Sequence, residues 1–154
     1  MGAAYFYHLT RAPLEEALPM LLERARGAGW TVGVRGTDPG RMAWLDEKLW
    51  LVPAEGFLAH GLEGGDHDAD QPVLLGCGAV DANGATCLMA VDGAAVSAEE
   101  VQRMERVCII FDGNDMQELQ AARGQWSALT KAGCAAQYWS QESGRWEKKA
   151  ESGA

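Results

Sequence analysis

Residues 5–35 read YFYHLTRAPLEEALPMLLERARGAGWTVGVR, and the apolar pattern of this stretch decides the fold class. Residues 5–9 are aromatic and apolar, which is typical of a β-strand. In residues 14–28 the apolar positions 14, 17, 18, 21, 22 and 25 recur at helical spacing, and residues 30–35 read as a second strand. We expect Thr10 to cap the helix, with Pro13 in its first turn.

The rest of the chain continues the alternation of strands and helices. Helices are predicted from Asp38, from Ser97, which forms a capping box with Glu100, and over residues 115–132 behind Asn114 as cap. Short apolar runs predict buried strands at 72–75, 87–91, 107–111 and 137–139, while residues 51–72 read mostly as loop. This pattern predicts one α/β domain over residues 1–144, with a mostly parallel sheet and helices on both faces. The charged tail 145–154 is expected to fray.

Composition and charge exclude several classes of protein. The 154 residues are 47% hydrophobic, enough for a sizeable core, and 13 basic against 22 acidic side chains give a net charge of −9. Residues 51–100 hold no Lys or Arg and nine acids, so an anionic partner must be met by the outer thirds. Such a chain repels phosphate backbones, and we therefore expect no direct DNA or RNA binding. No apolar run reaches the ~20 residues of a membrane helix, and the N-terminus lacks a secretory signal, so a soluble cytoplasmic protein is expected.

The sequence offers few candidates for catalysis. Asp66, His67, Asp68 and Asp70 could bind a divalent metal, which gives a small metal-dependent hydrolase as the alternative function, but the same loop also reads as a solvated turn. No phosphate-binding glycine motif is present, and a nucleotide-binding regulator rests on the layout alone. The four cysteines, Cys77, Cys87, Cys108 and Cys134, stand apart and read as buried reduced thiols. We expect no cofactor, no metal and no active site.

Two surfaces remain for protein partners. The loop over residues 49–62 carries Trp50, Phe57, Leu58 and Leu62, which either pack inward or form an exposed protein-binding patch. On the helix 115–132, Arg123 lies at the margin of the apolar stripe, one turn from Trp126. A guanidinium beside an indole suits a carboxylate that carries an apolar side chain. Spacing alone favours a snorkelling arginine or an intramolecular ion pair instead.

Taken in order, several segments resemble the chi subunit of bacterial DNA polymerase III. The segments are Phe6-Tyr7-His8-Leu9, Leu45-Asp46-Glu47-Lys48-Leu49-Trp50, Phe57-Leu58-Ala59-His60-Gly61-Leu62, Gln71-Pro72-Val73, Phe111-Asp112, Arg123 with Trp126, Tyr138-Trp139 and Gly144-Arg145-Trp146-Glu147-Lys148. Their order and spacing are specific, above all LDxxLW followed by FxxHxL.

The resemblance implies a Rossmann-like fold and a non-catalytic accessory subunit that links the clamp-loader complex to single-stranded DNA-binding protein. It assigns the acidic C-terminal tail of that protein, which ends in an apolar residue with a free carboxylate, to Arg123 and Trp126. We add Lys131, a further basic residue of the same helix, to this predicted tail site. It assigns the psi subunit, and through it the clamp loader, to Trp50, Phe57, Leu58 and His60.

This chain departs from the family pattern around the arginine. Relatives carry several basic residues there, whereas Leu119, Ser127 and Thr130 stand at three of those positions here. The resemblance therefore implies weaker and less salt-dependent tail binding, because fewer charges contribute. The psi subunit need not exist in every lineage, so a helicase-type protein is the alternative partner of the same loop.

Overall fold

The structure is a computed structural model that describes residues 2–10, 13–50, 60–140 and 146–152. Within these residues the strands are β1 (Ala3–Leu9), β2 (Val32–Arg35), β3 (Gly61–Leu62), β4 (Val73–Gly76), β5 (Cys87–Ala90), β6 (Arg106–Asp112), β7 (Ala135–Ser140) and β8 (Glu147–Ser152). The helices are α1 (Leu14–Gly27), α2 (Pro39–Trp50), α3 (Ala98–Arg103) and α4 (Met116–Lys131), and a 3₁₀ turn covers Asp68–Asp70.

The strands form one mixed sheet in the order β3-β4-β2-β5-β6-β1-β7-β8. Every neighbouring pair is parallel except β7 and β8, which are antiparallel. In the centre, Phe6 of β1 lies opposite Ile109 of β6 and Tyr138 of β7. The predicted α/β domain with a mostly parallel sheet is confirmed.

The sheet carries helices on both faces because side chains alternate along its strands. Tyr7 and Leu9 of β1 enter the core beneath α1 and α2. Ala4 and Phe6 enter the opposite core, which contains Val101 of α3 together with Ala122 and Leu129 of α4. The two faces are therefore separate surfaces, and each can hold its own binding site.

The start of α1 differs from the prediction, whereas the start of α3 agrees with it. Pro13 is the N-cap of α1, and no side chain caps this helix end. Thr10 stands four residues before Leu14, too early in the chain to be the N-cap, and its buried hydroxyl has no hydrogen-bond partner in the described part of the chain. At α3, Ser97 and Glu100 form the predicted capping box.

The charged tail is also more ordered than predicted. Glu147–Ser152 form β8, which pairs with β7 and satisfies backbone groups that an edge strand leaves exposed. Trp146, just before β8, packs edge-on against Tyr7 with ring centroids 5.2 Å apart. Backbone pairing and one buried indole thus hold a segment whose own composition predicts fraying.

Three of the four cysteines are buried as predicted, but Cys77 is exposed. It follows the end of β4, where the chain turns out of the sheet. Cys87 and Cys108 lie on neighbouring strands, and a hydrogen bond between the two thiols together with burial raises the pKa of Cys108.

Arg35 ties together the loops at the carboxyl end of β2. Its guanidinium donates to Glu100 at 2.5 and 3.0 Å and to the backbone carbonyls of Gly78 and Ala95, both at 2.9 Å. The hydrogen bond from Arg35 lowers the pKa of Glu100 to about 2. Because this folded-state pKa lies below the ordinary value, the ion pair stabilises the fold above about pH 4.5, and that stabilisation is lost as the pH falls through about 2.

We predict that Glu100→Gln lowers the free energy of unfolding by about 1–3 kcal/mol at pH 7, because it leaves the Arg35 guanidinium without its carboxylate. The difference from wild type shrinks as the pH falls from 4.5 to 2, the interval between the ordinary and the folded-state pKa. Chemical denaturation across this range measures it, with exposed Glu99→Gln of the same helix as the control. A deficit that does not change between pH 7 and pH 2 contradicts the assignment.

Candidate functional site

Helix α4 begins and ends on strong local signals. Asp115, not Asn114 as predicted, is its N-cap, and the Asp115 carboxylate accepts hydrogen bonds from the backbone N–H of Gln117 and Glu118 at 2.9 and 3.2 Å. The carboxylate one position nearer to the helix thus satisfies two of its free N–H groups. After the helix, Gly133 adopts a φ of 87°, a conformation open to glycine, which turns the chain into β7.

A groove of about 480 Å³ lies between α4 and the β7–β8 edge of the sheet. We call it the α4 groove, and its lining residues come from four elements: Phe111, Leu119, Ala122, Arg123, Trp126, Tyr138, Lys149 and Ala150. The walls are apolar and aromatic, and the two charged residues are both cations. The groove therefore suits an apolar group attached to an anion.

The aromatic wall of the α4 groove is held in place by contacts on several sides. Trp126 meets Phe6 and Tyr138 edge-on, with ring centroids 5.3 and 6.2 Å apart. The Tyr138 hydroxyl lies 2.6 Å from Nδ1 of His8, whose ring stacks on Phe111 at 4.9 Å. These contacts restrict the rotamers of the wall, so less side-chain entropy remains to be lost when a ligand binds.

Arg123 is one of two exposed cations of this groove. No residue that the structure describes forms an ion pair or hydrogen bond with its guanidinium. The intramolecular ion pair that spacing favoured is therefore absent from the described part of the chain. A guanidinium that is exposed at the edge of an apolar groove can donate two parallel hydrogen bonds to the oxygens of a carboxylate ligand.

The second cation of the groove is Lys149 of β8, not Lys131. Lys131 is the last residue of α4 and is exposed, but it does not line the groove, being eight residues from Arg123 and so about 12 Å further along the helix axis. Lys149 lies 3.8 Å from Glu147, an exposed pair that contributes little and leaves the ammonium able to meet another anion.

The predicted psi-facing loop is described only in part. Phe57 and Leu58 lie outside the described residues, and of Trp50 only the backbone, at the end of α2, is described. His60 is buried, and its Nε2 lies 3.0 Å from the backbone oxygen of Asp46 and 3.3 Å from its carboxylate. His60 thus fastens the chain after the loop to α2, and its side chain is not available at the surface.

The acidic loop does not form a metal site in the described part of the chain. Asp68 accepts hydrogen bonds from the backbone N–H of Gly64 and Gly65, both at 2.9 Å, so its carboxylate closes a turn. His67 and Asp70 are about four-fifths exposed and 3.7 Å apart. No group of three potential ligands comes together among the described residues, and the metal-dependent hydrolase has no geometric support.

A second cavity, of about 290 Å³, lies at the carboxyl ends of β1 and β6, where α/β folds commonly bind nucleotides. Its lining includes Glu15, Asp92, Asp112 and Glu118, whereas Arg41 is paired with Asp92 at 3.1 Å. Burial and then the neighbouring carboxylates raise the pKa of Glu118 to about 6. An acidic cavity of this kind repels phosphate, which disfavours a nucleotide-binding regulator.

A model of the DNA polymerase III chi subunit family (HolC) matches residues 1–137 of the chain. The chain belongs to this family. The matched region includes α4 with Arg123 and Trp126 and ends within β7, before β8. A search of curated proteins gave no match.

Family membership makes this chi-family chain an accessory subunit of DNA polymerase III, with that polymerase's assembly as its general partner. No helix in the ranges that the structure describes is long and apolar enough to span a membrane.

Sequence reasoning missed several residues of the α4 groove. Tyr138 and Phe111 entered the family resemblance without a role, and their closeness to Trp126 depends on strand order. Lys149 had no signal, because a charged strand outside the matched region resembles a solvated tail. Leu119 is half-buried against the core of this face and also lines the groove, which helical spacing alone did not indicate.

We predict that Glu118→Gln raises the melting temperature at pH 8 and leaves it nearly unchanged at pH 4.5. With a folded-state pKa of about 6 against the ordinary 4.5, the folded protein holds the proton more tightly, so ionisation destabilises it as the pH rises through this interval. The glutamine oxygen can still accept the Asp112 N–H, which donates to Glu118 at 3.2 Å. Calorimetric melting measures both values, with exposed Glu105→Gln as control, and a lower melting temperature at pH 8 contradicts the prediction.

Proposed function

We propose that this chi-family chain is a non-catalytic adaptor that links the clamp-loader complex to single-stranded DNA-binding protein. It does so by holding the acidic C-terminal tail of that protein in the α4 groove. The proposal is based on one observation: Arg123 lies at the edge of an aromatic groove and forms no ion pair with any described residue.

The chemistry of the groove fits the end of such a tail. A terminal carboxylate can take two hydrogen bonds from the planar guanidinium of Arg123. The apolar side chain of the terminal residue then lies against Trp126 and Leu119, where burial stabilises it by about 25 cal/mol per Å² of apolar surface removed from water. Both parts of the ligand are needed, because the charge alone is screened at this exposed position.

The acidic residues that precede the terminus need a second cation besides Arg123. Lys149 lines the groove on the side of β8 and is our candidate for this contact. Lys131, the sequence-based candidate, acts on the tail only through longer-range attraction, which falls off over a Debye length of about 8 Å at physiological salt.

The overall charge of the chain agrees with binding of a protein rather than of DNA. The net charge is −9, and a phosphate backbone is repelled by it. A short acidic tail needs only one or two local cations, which the α4 groove supplies from α4 and β8.

For the second partner we propose the loop that follows α2, with Trp50, Phe57 and Leu58 as contact residues. The psi subunit, and through it the clamp loader, is the proposed occupant, and a helicase-type protein is the alternative at the same loop. His60, the first described residue after this segment, contacts Asp46 of α2 from its buried position and therefore acts in positioning and not as a contact residue.

We predict that Arg123→Ala weakens binding of a peptide with the sequence of the C-terminal tail of single-stranded DNA-binding protein by about 10- to 100-fold. The reason is that a hydrogen bond to a charged group contributes about 1.5–3 kcal/mol. Arg123→Lys restores only part of the affinity, because an ammonium cannot make the two parallel hydrogen bonds. Fluorescence anisotropy of the labelled peptide, at two salt concentrations, measures both. Exposed Arg103→Ala is the control of equal charge change, and equal affinities for wild type and Arg123→Ala overturn the site.

The same titration separates the two lysines. We predict that Lys149→Ala lowers the affinity for the peptide by about 3- to 10-fold and reduces the salt dependence of binding. Lys131→Ala changes the affinity less than about twofold. A larger effect from Lys131→Ala than from Lys149→Ala shows that the tail runs along α4 and not towards β8.

A further inference from the structure

On the face of the sheet opposite the α4 groove lies a larger cavity, of about 490 Å³. We call it the α1 cavity, because the C-terminal half of α1 forms one wall and β1, β5, β6 and β7 form the floor. Its volume is in the range of small-molecule sites, about 300–1,000 Å³. Its lining contains five aromatic residues and two arginines: Tyr5, Tyr7, Trp30, Trp139, Trp146, Arg24 and Arg106.

The guanidinium of Arg106 stacks on two of these rings. The central carbon of its guanidinium lies 4.0 Å from the ring centroid of Tyr5 and 4.9 Å from that of Trp30. Such stacking leaves the N–H groups at the edge of the guanidinium able to donate hydrogen bonds, and Nη2 donates a long one, of 3.4 Å, to the Tyr5 hydroxyl.

Arg106 also lacks the partner that comparable arginines have. The half-buried Arg35 and Arg41 pair with Glu100 and Asp92, at 2.5 and 3.1 Å. Within the described ranges no carboxylate pairs with Arg106 or with Arg24, although the chain holds 22 acidic residues. Two cations without carboxylates in one aromatic cavity attract an anion.

Two further donors in this cavity have no partner. Tyr7 is only 8% exposed, and its hydroxyl makes no hydrogen bond to a described residue. Burial raises the pKa of Tyr7, so the hydroxyl keeps its proton and can donate. The indole N–H of Trp146 is buried and is likewise without an acceptor in the described part of the chain. A ligand with acceptor oxygens satisfies both groups, and for the buried Trp146 N–H it also removes the cost of an unpaired donor.

We propose that the α1 cavity binds a small planar aromatic anion, with the ring against the Trp and Tyr side chains and the oxyanion on Arg106. The aromatic walls select a flat ring, because stacked and edge-on ring contacts stabilise beyond simple area burial. The two arginines select a carboxylate or phosphate on that ring. This site is independent of tail binding, since it lies on the other face of the sheet.

The test uses two anionic probes, indole-3-carboxylate and adenosine 5′-monophosphate, with indole-3-carboxamide and adenosine as neutral counterparts. Calorimetric titration into the full chain is expected to give a dissociation constant below about 1 mM for at least one anion, and weaker binding of its neutral counterpart. The probe that binds identifies a carboxylate or a phosphate as the anionic group. Failure of both anions, or equal affinity for the neutral counterparts, overturns the proposal.

Variants place the ligand in the cavity. Arg106→Gln lowers the affinity for the anion by at least about tenfold, whereas Arg103→Gln, at an exposed position three residues away, leaves this affinity unchanged. Tyr7→Phe weakens it severalfold without lowering the melting temperature, because the hydroxyl has no hydrogen bond to lose in the unliganded fold. In the wild type the indole proton signal of Trp146 moves downfield as its N–H gains an acceptor. If Arg106→Gln and Tyr7→Phe bind as wild type does, or the Trp146 signal stays in place at saturation, the ligand lies elsewhere.

Discussion

The edge-on contact between Phe6 and Trp126 is the interaction on which the proposed tail-binding surface depends. Phe6 is fully buried in the interior strand β1, so its position is set by parallel pairing with β6 and β7 on either side. Trp126 rests on that ring and fixes the rotation of α4 about its own axis, which in turn places Arg123 at the edge of the groove. A change at the centre of the sheet therefore moves the guanidinium as well as the core.

The positions of the arginines that lack a carboxylate partner explain how an acidic protein can attract anions locally. The middle third carries no Lys or Arg, and the half-buried arginines Arg35 and Arg41 are neutralised by Glu100 and Asp92. Arg123 and Arg106 belong to the last third, and each lies beside aromatic rings without a carboxylate among the described residues. The net charge repels nucleic acid at long range, while two local cations on opposite faces of the sheet remain available to small or peptide anions.

Much of the fold follows from local pattern, whereas the site depends on tertiary neighbours. The 3.6-residue period of α1 and the apolar runs of β1, β4, β5 and β6 are strong signals because each element buries one face or both. The arginine–tryptophan pair was predictable from helical spacing, since both residues stand on one helix. That Lys149 and not Lys131 lines the groove could not be predicted, because Lys149 reaches the groove only through the pairing of β8 with β7. The exposed Glu and Lys residues of β8 show no apolar period that would indicate a strand. The burial of His60 was equally unpredictable from the sequence, because it depends on tertiary contacts with Asp46 of α2.

The six tryptophans allow the central claim, that the α4 groove holds the acidic tail, to be tested in one spectrum. Indole N–H signals of the ¹⁵N-labelled chain, assigned by single Trp→Phe substitutions, are followed while the tail peptide is added. If the α4 groove holds the tail, the Trp126 signal shifts and saturates with the peptide, while the signals of Trp30, Trp139 and Trp146 on the opposite face keep their positions. A saturating shift of those three signals with Trp126 unmoved would contradict it.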